Sequence, residues 1–135
     1  MSKRSGLAAA FAHFGAIPKN PRWSWSARSK DGNTVVINLW KDRFSYHKGR
    51  AEYDERAHGD IAQWMNRPGN RERLENLIWA RDHCDGLFRV NIAIAEDINA
   101  SPRKIIDVFP QDKLCMRVTD LDEQTGAFRA VQVGD

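Results

Sequence analysis

The stretch that decides the fold begins Arg22-Trp23-Ser24-Trp25-Ser26-Ala27-Arg28 and continues, after a short loop, as Thr34-Val35-Val36-Ile37-Asn38-Leu39-Trp40. Between these runs lies Asp31-Gly32-Asn33, and an Asp-Gly pair flanked by strand-like residues is a strong hairpin signal. The second run is the most strand-like part of the chain, because β-branched and aromatic residues favour strands. The segment therefore predicts a β-hairpin.

The length of the hairpin loop decides what the tryptophans face. Trp23 and Trp25 are two residues apart, so they share one face of their strand. A two-residue Asp-Gly turn places Trp23 opposite Trp40. The same turn places Trp25 opposite Asn38 and makes a tryptophan wall, a surface suited to stacking against a base. A three-residue loop instead places Trp25 opposite Leu39 and makes the wall ordinary core. The three-residue loop separates apolar from polar residues more cleanly and is favoured, but the sequence leaves both registers open.

Helical spacing predicts two helices. The first begins near Ser5 and ends at Gly15, and its apolar residues recur three and four positions apart on one face. Those residues are Leu7, Ala10, Phe11 and Phe14. The second is capped by Asn70 and runs to about His83. The first helix is expected to lie on a sheet.

The remaining segments predict further strands. Residues 87–95 alternate between apolar and polar side chains, as a half-buried strand does. Residues 105–109 form a short strand, and residues 113–120 and 127–133 form a last hairpin. Residues 42–60 show no period and predict a long loop. The chain is therefore expected to be α+β, with a small, mostly antiparallel sheet or pseudobarrel of about five to six strands and two helices in a single domain spanning residues 1–135.

Charge and composition restrict the classes of function. The net charge is +3, yet the first thirty residues carry no acid. They carry six cations: Lys3, Arg4, Lys19, Arg22, Arg28 and Lys30. Such an asymmetry attracts a polyanion. Neither a signal peptide nor an apolar run of membrane-spanning length is recognisable, and Cys84 and Cys115 form no metal or disulfide pattern. The expected location is the cytoplasm, without membrane contact.

Common enzyme signatures are absent from the sequence. It contains no P-loop, GxGxxG, GxSxG or HExxH motif, so the usual nucleotide-binding and hydrolase classes are excluded. Asp42, His47, Asp54, His58 and Asp60 could gather around a metal in the 42–60 loop, but their spacing is not that of a firm metal site. No catalytic residue, metal or cofactor is therefore predicted.

A resemblance adds to this interpretation. The strings Phe14-Gly15-Ala16, Asn20-Pro21-Arg22-Trp23-Ser24-Trp25-Ser26-Ala27 and Leu39-Trp40-Lys41-Asp42 resemble a group of uncharacterised bacterial domains that occur alone or beside HNH-type endonucleases. Arg71-Glu72-Arg73-Leu74 and Ser101-Pro102-Arg103-Lys104-Ile105 fit the same group. The resemblance implies DNA recognition or defence, with a nuclease as a partner. No HNH motif is present here, so catalysis is not implied. The outline is also similar to PUA-like pseudobarrels, which bind RNA or modified bases.

The leading hypothesis is a nucleic-acid-binding module with DNA or RNA as its partner. One form of this hypothesis is a reader of modified bases. The predicted contact residues are Lys19, Asn20, Arg22, Trp23, Trp25, Arg28, Asn38, Trp40 and Arg103. The cations would contact phosphate and the tryptophans would stack on bases. Two alternatives stay open. One is a protein-interaction or accessory subunit that contacts no nucleic acid, and the other is a metal-dependent enzyme using the 42–60 loop. The oligomeric state is not predicted.

Overall fold

The computed structural model describes residues 4–20, 24–57, 66–100 and 103–134. Its strands are β1 (Ala16–Ile17), β2 (Ser26–Ser29), β3 (Val35–Trp40), β4 (Phe44–His47), β5 (Arg50–Asp54), β6 (Leu87–Ala95), β7 (Ile105–Leu121) and β8 (Phe128–Gln132). The helices are α1 (Arg4–His13) and α2 (Pro68–His83), with short 3-10 turns at Lys41–Arg43 and Glu55–Ala57.

All eight strands belong to one sheet, in the order β1-β2-β3-β6-β7-β8-β5-β4. Only the β3–β6 pair among them is parallel. The expected α+β class with a mostly antiparallel sheet is therefore confirmed. The expected strand number was too low. The sheet is also open, since β1 and β4 lie at opposite ends of the order, so the pseudobarrel was wrong.

The segment predicted as a long loop contains the β4–β5 hairpin. Its turn places Lys48 at φ 52° and Gly49 at φ 80°, both in the left-handed region that a two-residue hairpin turn requires. The turn joins His47 to Arg50, which are directly paired. Strand β4 is only four residues long and mostly exposed, so its brief alternation of Phe44 and Tyr46 with polar residues does not stand out in this mixed-charge segment, and the hairpin was missed.

The strands expected at residues 105–109 and 113–120 are one strand, β7. It continues through Pro110, which lies opposite Asn91 of β6. The pairing then shifts between Arg89 and Val90, so a bulge in β7 takes up the extra residues before Cys115. The proline and the bulge interrupt the apolar pattern without ending the strand.

The β2–β3 hairpin has the register of the two-residue turn. Ala27 pairs with Val36, and the amide of Asn38 donates to the carbonyl of Trp25 at 2.9 Å. The favoured three-residue loop was therefore wrong. The separation of apolar from polar residues does not indicate the hairpin register here, because the consecutive residues Val35 and Val36 are both buried. A strand covered on both faces carries no alternation from which to deduce register.

Two apolar layers cover the sheet, one on each face. The larger, on the α2 face, includes Leu77 and Ala80 of the helix together with Ile37, Tyr53, Phe88, Val90, Met116 and Phe128 of the strands. On the α1 face, Phe11 packs with Ala27 and Val36, and Ala10 packs with Ala93 and Val108. Each helix therefore holds one face of the sheet.

One of the two helices begins at a different residue from the one predicted. Helix α1 confirms the first prediction, and Gly15 follows it at φ 75°. Helix α2 begins at Pro68, with Arg67 as its N-cap, so the cap predicted at Asn70 was wrong. Proline fits the first turn of a helix because the N–H it lacks has no partner there. Asn70 is buried instead, and its amide donates to the carbonyl of Thr125 at 2.7 Å.

Candidate nucleic-acid interface

The predicted contact residues fall into two separate groups. Arg22 and Trp23 lie outside the described residues. Lys19, Trp25 and Arg28 lie against α2, whereas Asn38, Trp40 and Arg103 lie on the other side of the sheet. The structure thus does not bring the described members of the set into one site.

On the α2 side, each of the three residues has a helix partner. The Lys19 ammonium is 3.2 Å from a carboxylate oxygen of Glu75. The Arg28 guanidinium lies over the ring of Trp79, 4.2 Å from its centroid. The Trp79 indole also donates to the carbonyl of Gly32 at 2.7 Å. Trp79 therefore fixes the β2–β3 turn to the helix, a role that the sequence did not indicate.

Trp25 is a packing residue of this interface. Its indole ring lies against Gly69 so closely that a Cβ there would come within 2.5 Å of ring atoms. The Arg73 guanidinium lies 5.0 Å from the centroid of the Trp25 ring. The hairpin register that should have built a tryptophan wall is present, but Trp25 precedes β2 and packs on α2 rather than beside Trp40.

The second group is held by Arg103. Its guanidinium donates to both carboxylate oxygens of Asp42, at 2.7 and 2.8 Å, and to the carbonyl of Ile98 at 2.8 Å. These hydrogen bonds from Arg103 hold the pKa of Asp42 below its usual value. The same guanidinium lies over the Trp40 ring, 5.0 Å from its centroid. Arg103 and Trp40 are thus engaged with each other.

The polar residues of the prediction are engaged as well. The Asn38 side-chain oxygen accepts a hydrogen bond from the Asn91 amide at 3.0 Å, beneath α1. The backbone amide of Asn20 donates to the Ser24 hydroxyl at 3.0 Å, and the Ser24 amide donates back to the Asn20 carbonyl at 2.9 Å. Asn20 is therefore joined to Ser24 by two hydrogen bonds just before β2.

A different surface has the features expected of a polyanion site. We call it the open sheet face: the outward side chains of the second half of the sheet, on the side opposite α2. It consists of Ser45, His47, Arg50, Glu52, Asp54, Leu87, Arg89, Cys115, Arg117, Asp120, Arg129 and Val131. These residues alternate along their strands with core residues such as Ala51, Phe88, Met116 and Ala130. All of them are exposed or half-buried.

Helix α1 covers only the neighbouring part of this side of the sheet. It ends where His13 contacts Asp112 at 2.5 Å and where the Arg89 guanidinium lies over Phe14. Helix α2 packs on the opposite face. Neither of the helices that the structure describes therefore lies over the open sheet face.

The open sheet face carries more cations than acids. Four arginines stand against three acids, Glu52, Asp54 and Asp120. All three acids are paired, Glu52 with Arg129, and Asp54 and Asp120 with Arg56. Arg117 is paired with Asp85 from the adjoining loop at 3.1 Å. Within the described ranges, no carboxylate pairs with Arg50 or Arg89. The positive charge that remains is spread over a shallow surface.

A metal site and a nucleophilic cysteine have less support than a polyanion site. In the part of the chain that the structure describes, no group of three or more His, Cys, Asp or Glu residues could hold a metal. The predicted ligands Asp42 and Asp54 are each paired with an arginine, and His58 and Asp60 lie outside the described residues. Burial raises the pKa of the Cys84 thiol, which opposes a role as nucleophile.

Comparisons with protein-family models, with curated proteins and with solved structures find no match for this chain. No helix within the described ranges is long and apolar enough to cross a membrane.

The open sheet face was not predicted from the sequence, although the sequence contains a signal for it. Alternation in residues 128–132 and 50–54 places charged residues, Arg129 and Glu52, between core residues, which indicates strands with one exposed face.

Proposed function

We propose that the protein binds nucleic acid through the open sheet face. The observation that carries the proposal is the excess of arginine on a sheet surface over which no described helix packs. Proteins that bind nucleic acids gain most of their sequence-independent affinity from cations that neutralise phosphates. Paired arginines such as Arg117 and Arg129 keep donors for a phosphate, because a guanidinium has five N–H groups.

The centre of the open sheet face supports the same function. Cys115 and Val131 are half-buried there, and Arg117 lies directly across from Val131. Arg89 lies across from Cys115 on the neighbouring strand. Apolar side chains next to guanidinium groups offer contacts to bases as well as to phosphates. The surface therefore combines the two kinds of contact that a nucleic acid requires.

The first test is a matched pair of charge reversals. Arg50→Glu with Lys113→Glu alters the margins of the open sheet face, since Lys113 is exposed in the β7 bulge beside Cys115. Lys41→Glu with Lys104→Glu makes the same change of charge at exposed sites elsewhere. Titration of labelled DNA and RNA oligonucleotides at low and moderate salt measures affinity. We expect the first variant to lose about tenfold or more in affinity and to show a shallower salt dependence.

The control variant should keep most of the affinity, because its lysines lie outside the proposed surface. No binding of any oligonucleotide at low salt would contradict the proposal, since phosphate contacts are strongest there. Equal losses in the two double variants would contradict the location, because they would indicate an effect of net charge alone.

A second test uses the thiol on the surface. Cys115 lies on the open sheet face, whereas Cys84 contacts the β2–β3 turn, with its sulfur 3.6 Å from the carbonyl of Gly32. In a Cys84→Ser variant, a bound oligonucleotide should slow alkylation of Cys115 severalfold. In a Cys115→Ser variant, it should leave the alkylation of Cys84 unchanged. An unchanged rate at Cys115 under saturating oligonucleotide would place the ligand elsewhere.

A further inference from the structure

We infer that the nucleic acid bound on the open sheet face is single-stranded, with its bases lying on the protein. This inference rests on the proposed function and names its substrate class. It follows from three features of the surface: its shape, the row of side chains at its centre, and the way Arg117 is held.

The shape disfavours a duplex. Five neighbouring strands, β6, β7, β8, β5 and β4, form the surface, and at about 4.8 Å between strands it is roughly 19 Å wide. Proteins read a duplex by inserting a helix or a β-ribbon into a groove. Among the described residues, no helix rises from this face, and the β4–β5 hairpin continues the sheet. A duplex would therefore meet it only along a line of phosphates.

The central row offers contacts that only unpaired bases can use. The register places Leu87 opposite Arg117, Arg117 opposite Val131, and Val131 opposite Glu52. Two half-buried apolar side chains thus flank a guanidinium in one row across four strands. The bases of a single strand can splay out and stack on guanidinium planes and apolar side chains. In a duplex those base faces are already stacked.

Two hydrogen bonds orient Arg117, whose side chain is 46% exposed. Its Nε donates to the carbonyl of Asp85 and its Nη2 contacts a carboxylate oxygen of Asp85, both at 3.1 Å. Asp85 itself has φ 59° in the tight turn before β6. Two bonds along one edge of the guanidinium fix its plane and leave its flat sides for a base. Arg117 therefore acts as a stacking group, where lysine would supply only charge.

The experiment compares four ligands of about twelve nucleotides, a length within the range of single-strand sites. They are a single strand of DNA, the same sequence in RNA, the DNA duplex, and an abasic strand with the same backbone charge. We expect at least one of the two single strands to bind about tenfold more tightly than the duplex and the abasic strand. The DNA and RNA arms identify which strand is preferred.

A conservative variant separates stacking from charge. Arg117→Lys keeps the charge and should weaken binding of the preferred single strand about fivefold or more, while binding of the abasic strand stays unchanged. Arg81→Lys is the matched control, since Arg81 is an exposed arginine paired with Asp82 and Glu123 on the α2 side. It should change neither affinity.

The outcomes separate this inference from the proposal beneath it. Equal binding of the abasic strand, or tighter binding of the duplex, would overturn the inference. An unchanged affinity in Arg117→Lys would overturn it as well. In these cases a loss of binding in the Arg50→Glu, Lys113→Glu variant would still support nucleic-acid binding. Failure of all four ligands to bind would overturn both.

Discussion

The two halves of the sheet are built differently. In the half around β3, both faces are covered, and Val35, Val36 and Ile37 are buried in succession. In the half that contains β8, one face is covered and the other is open, so that the strand alternates between core residues and the outward Arg129 and Val131. Three arginines, from β2, from α2 and from the segment before β7, lie over tryptophan rings, whereas four other arginines line the open sheet face.

This difference shows where to look for a binding surface. Trp25, Trp40 and Trp79 each have an arginine over the ring, and each is half-buried in the covered half. Their contacts join helices and turns to the sheet. The open half contains no tryptophan within the described residues, yet its alternation leaves charged side chains such as Arg117 and Arg129 facing outward beside apolar ones. The tryptophans therefore indicate packing, whereas the alternation of side chains in the strands of the open half indicates the exposed surface.

The largest effect on stability should come from Arg73, a residue of α2 whose side chain is buried between the helix and the sheet. It lies 3.7 Å from a carboxylate oxygen of Glu55, and its guanidinium lies over the rings of Trp25 and Phe128. Arg73→Met should lower the free energy of unfolding by about 3 kcal/mol or more, because it leaves a buried carboxylate with less compensation. Urea unfolding followed by circular dichroism measures the change.

Arg56 provides the matched control from the open half. It is exposed and paired with Asp54, so Arg56→Met should cost much less free energy of unfolding than Arg73→Met. Adding Glu55→Gln to the Arg73→Met variant should restore part of the loss, because the uncompensated charge is then gone. Similar costs at Arg73 and Arg56 would show that the covered α2 face and the open sheet face do not differ in the way described.

A smaller effect is expected at the rim of the covered half, where Arg103 binds Asp42. Asp42→Asn should lower the free energy of unfolding by about 1–2 kcal/mol at neutral pH. The folded-state pKa of Asp42 is lowered, so its contribution is complete above the unfolded value of about 3.9 and is lost as pH falls below it. The gap between wild type and variant should therefore shrink below about pH 4.

Unfolding curves at several pH values check this expectation. Asp82→Asn is the control, because Asp82 forms an exposed pair with Arg81 and should contribute little at any pH. A gap that stays constant down to pH 3, or one that appears only in acid, would contradict the assigned sign.

The smallest effect should come from the turn of the β4–β5 hairpin in the open half. Lys48 has φ 52°, a conformation that asparagine adopts more readily than lysine. Lys48→Asn should therefore raise the free energy of unfolding by about 0.5 kcal/mol. Lys41→Asn, at an exposed residue of a 3-10 turn, should not stabilise the protein. Clear destabilisation by Lys48→Asn would show that the turn differs from the one described.

Much of the fold could be predicted because its strongest patterns are local. The alternation of residues 87–95, the apolar spacing of α1 and the Asp-Gly turn correspond to β6, α1 and the β2–β3 hairpin. The β4–β5 hairpin was missed, since its two strands are short and its edge strand packs little apolar surface. The open sheet and the parallel β3–β6 pair depend on long-range pairing, which local patterns do not encode.

The candidate site was less accessible from the sequence than the fold. The sequence shows Lys19, Arg28 and Arg103 as cations, but their partners Glu75, Trp79 and Asp42 all lie far away in sequence. The open sheet face joins residues from five strands that are scattered between residues 45 and 131. Only the sheet order brings them together, so the sequence showed its members without their arrangement.

The sheet order also has a consequence for biogenesis. The β4–β5 hairpin is synthesised early, yet it joins the sheet through β8, the last of the eight strands in chain order. On the ribosome, β3 can pair with β6 and β6 with β7 while the hairpin still lacks the strand that connects it to them. The open sheet face therefore comes into existence only when Phe128–Gln132 has emerged, so the growing chain cannot display it early.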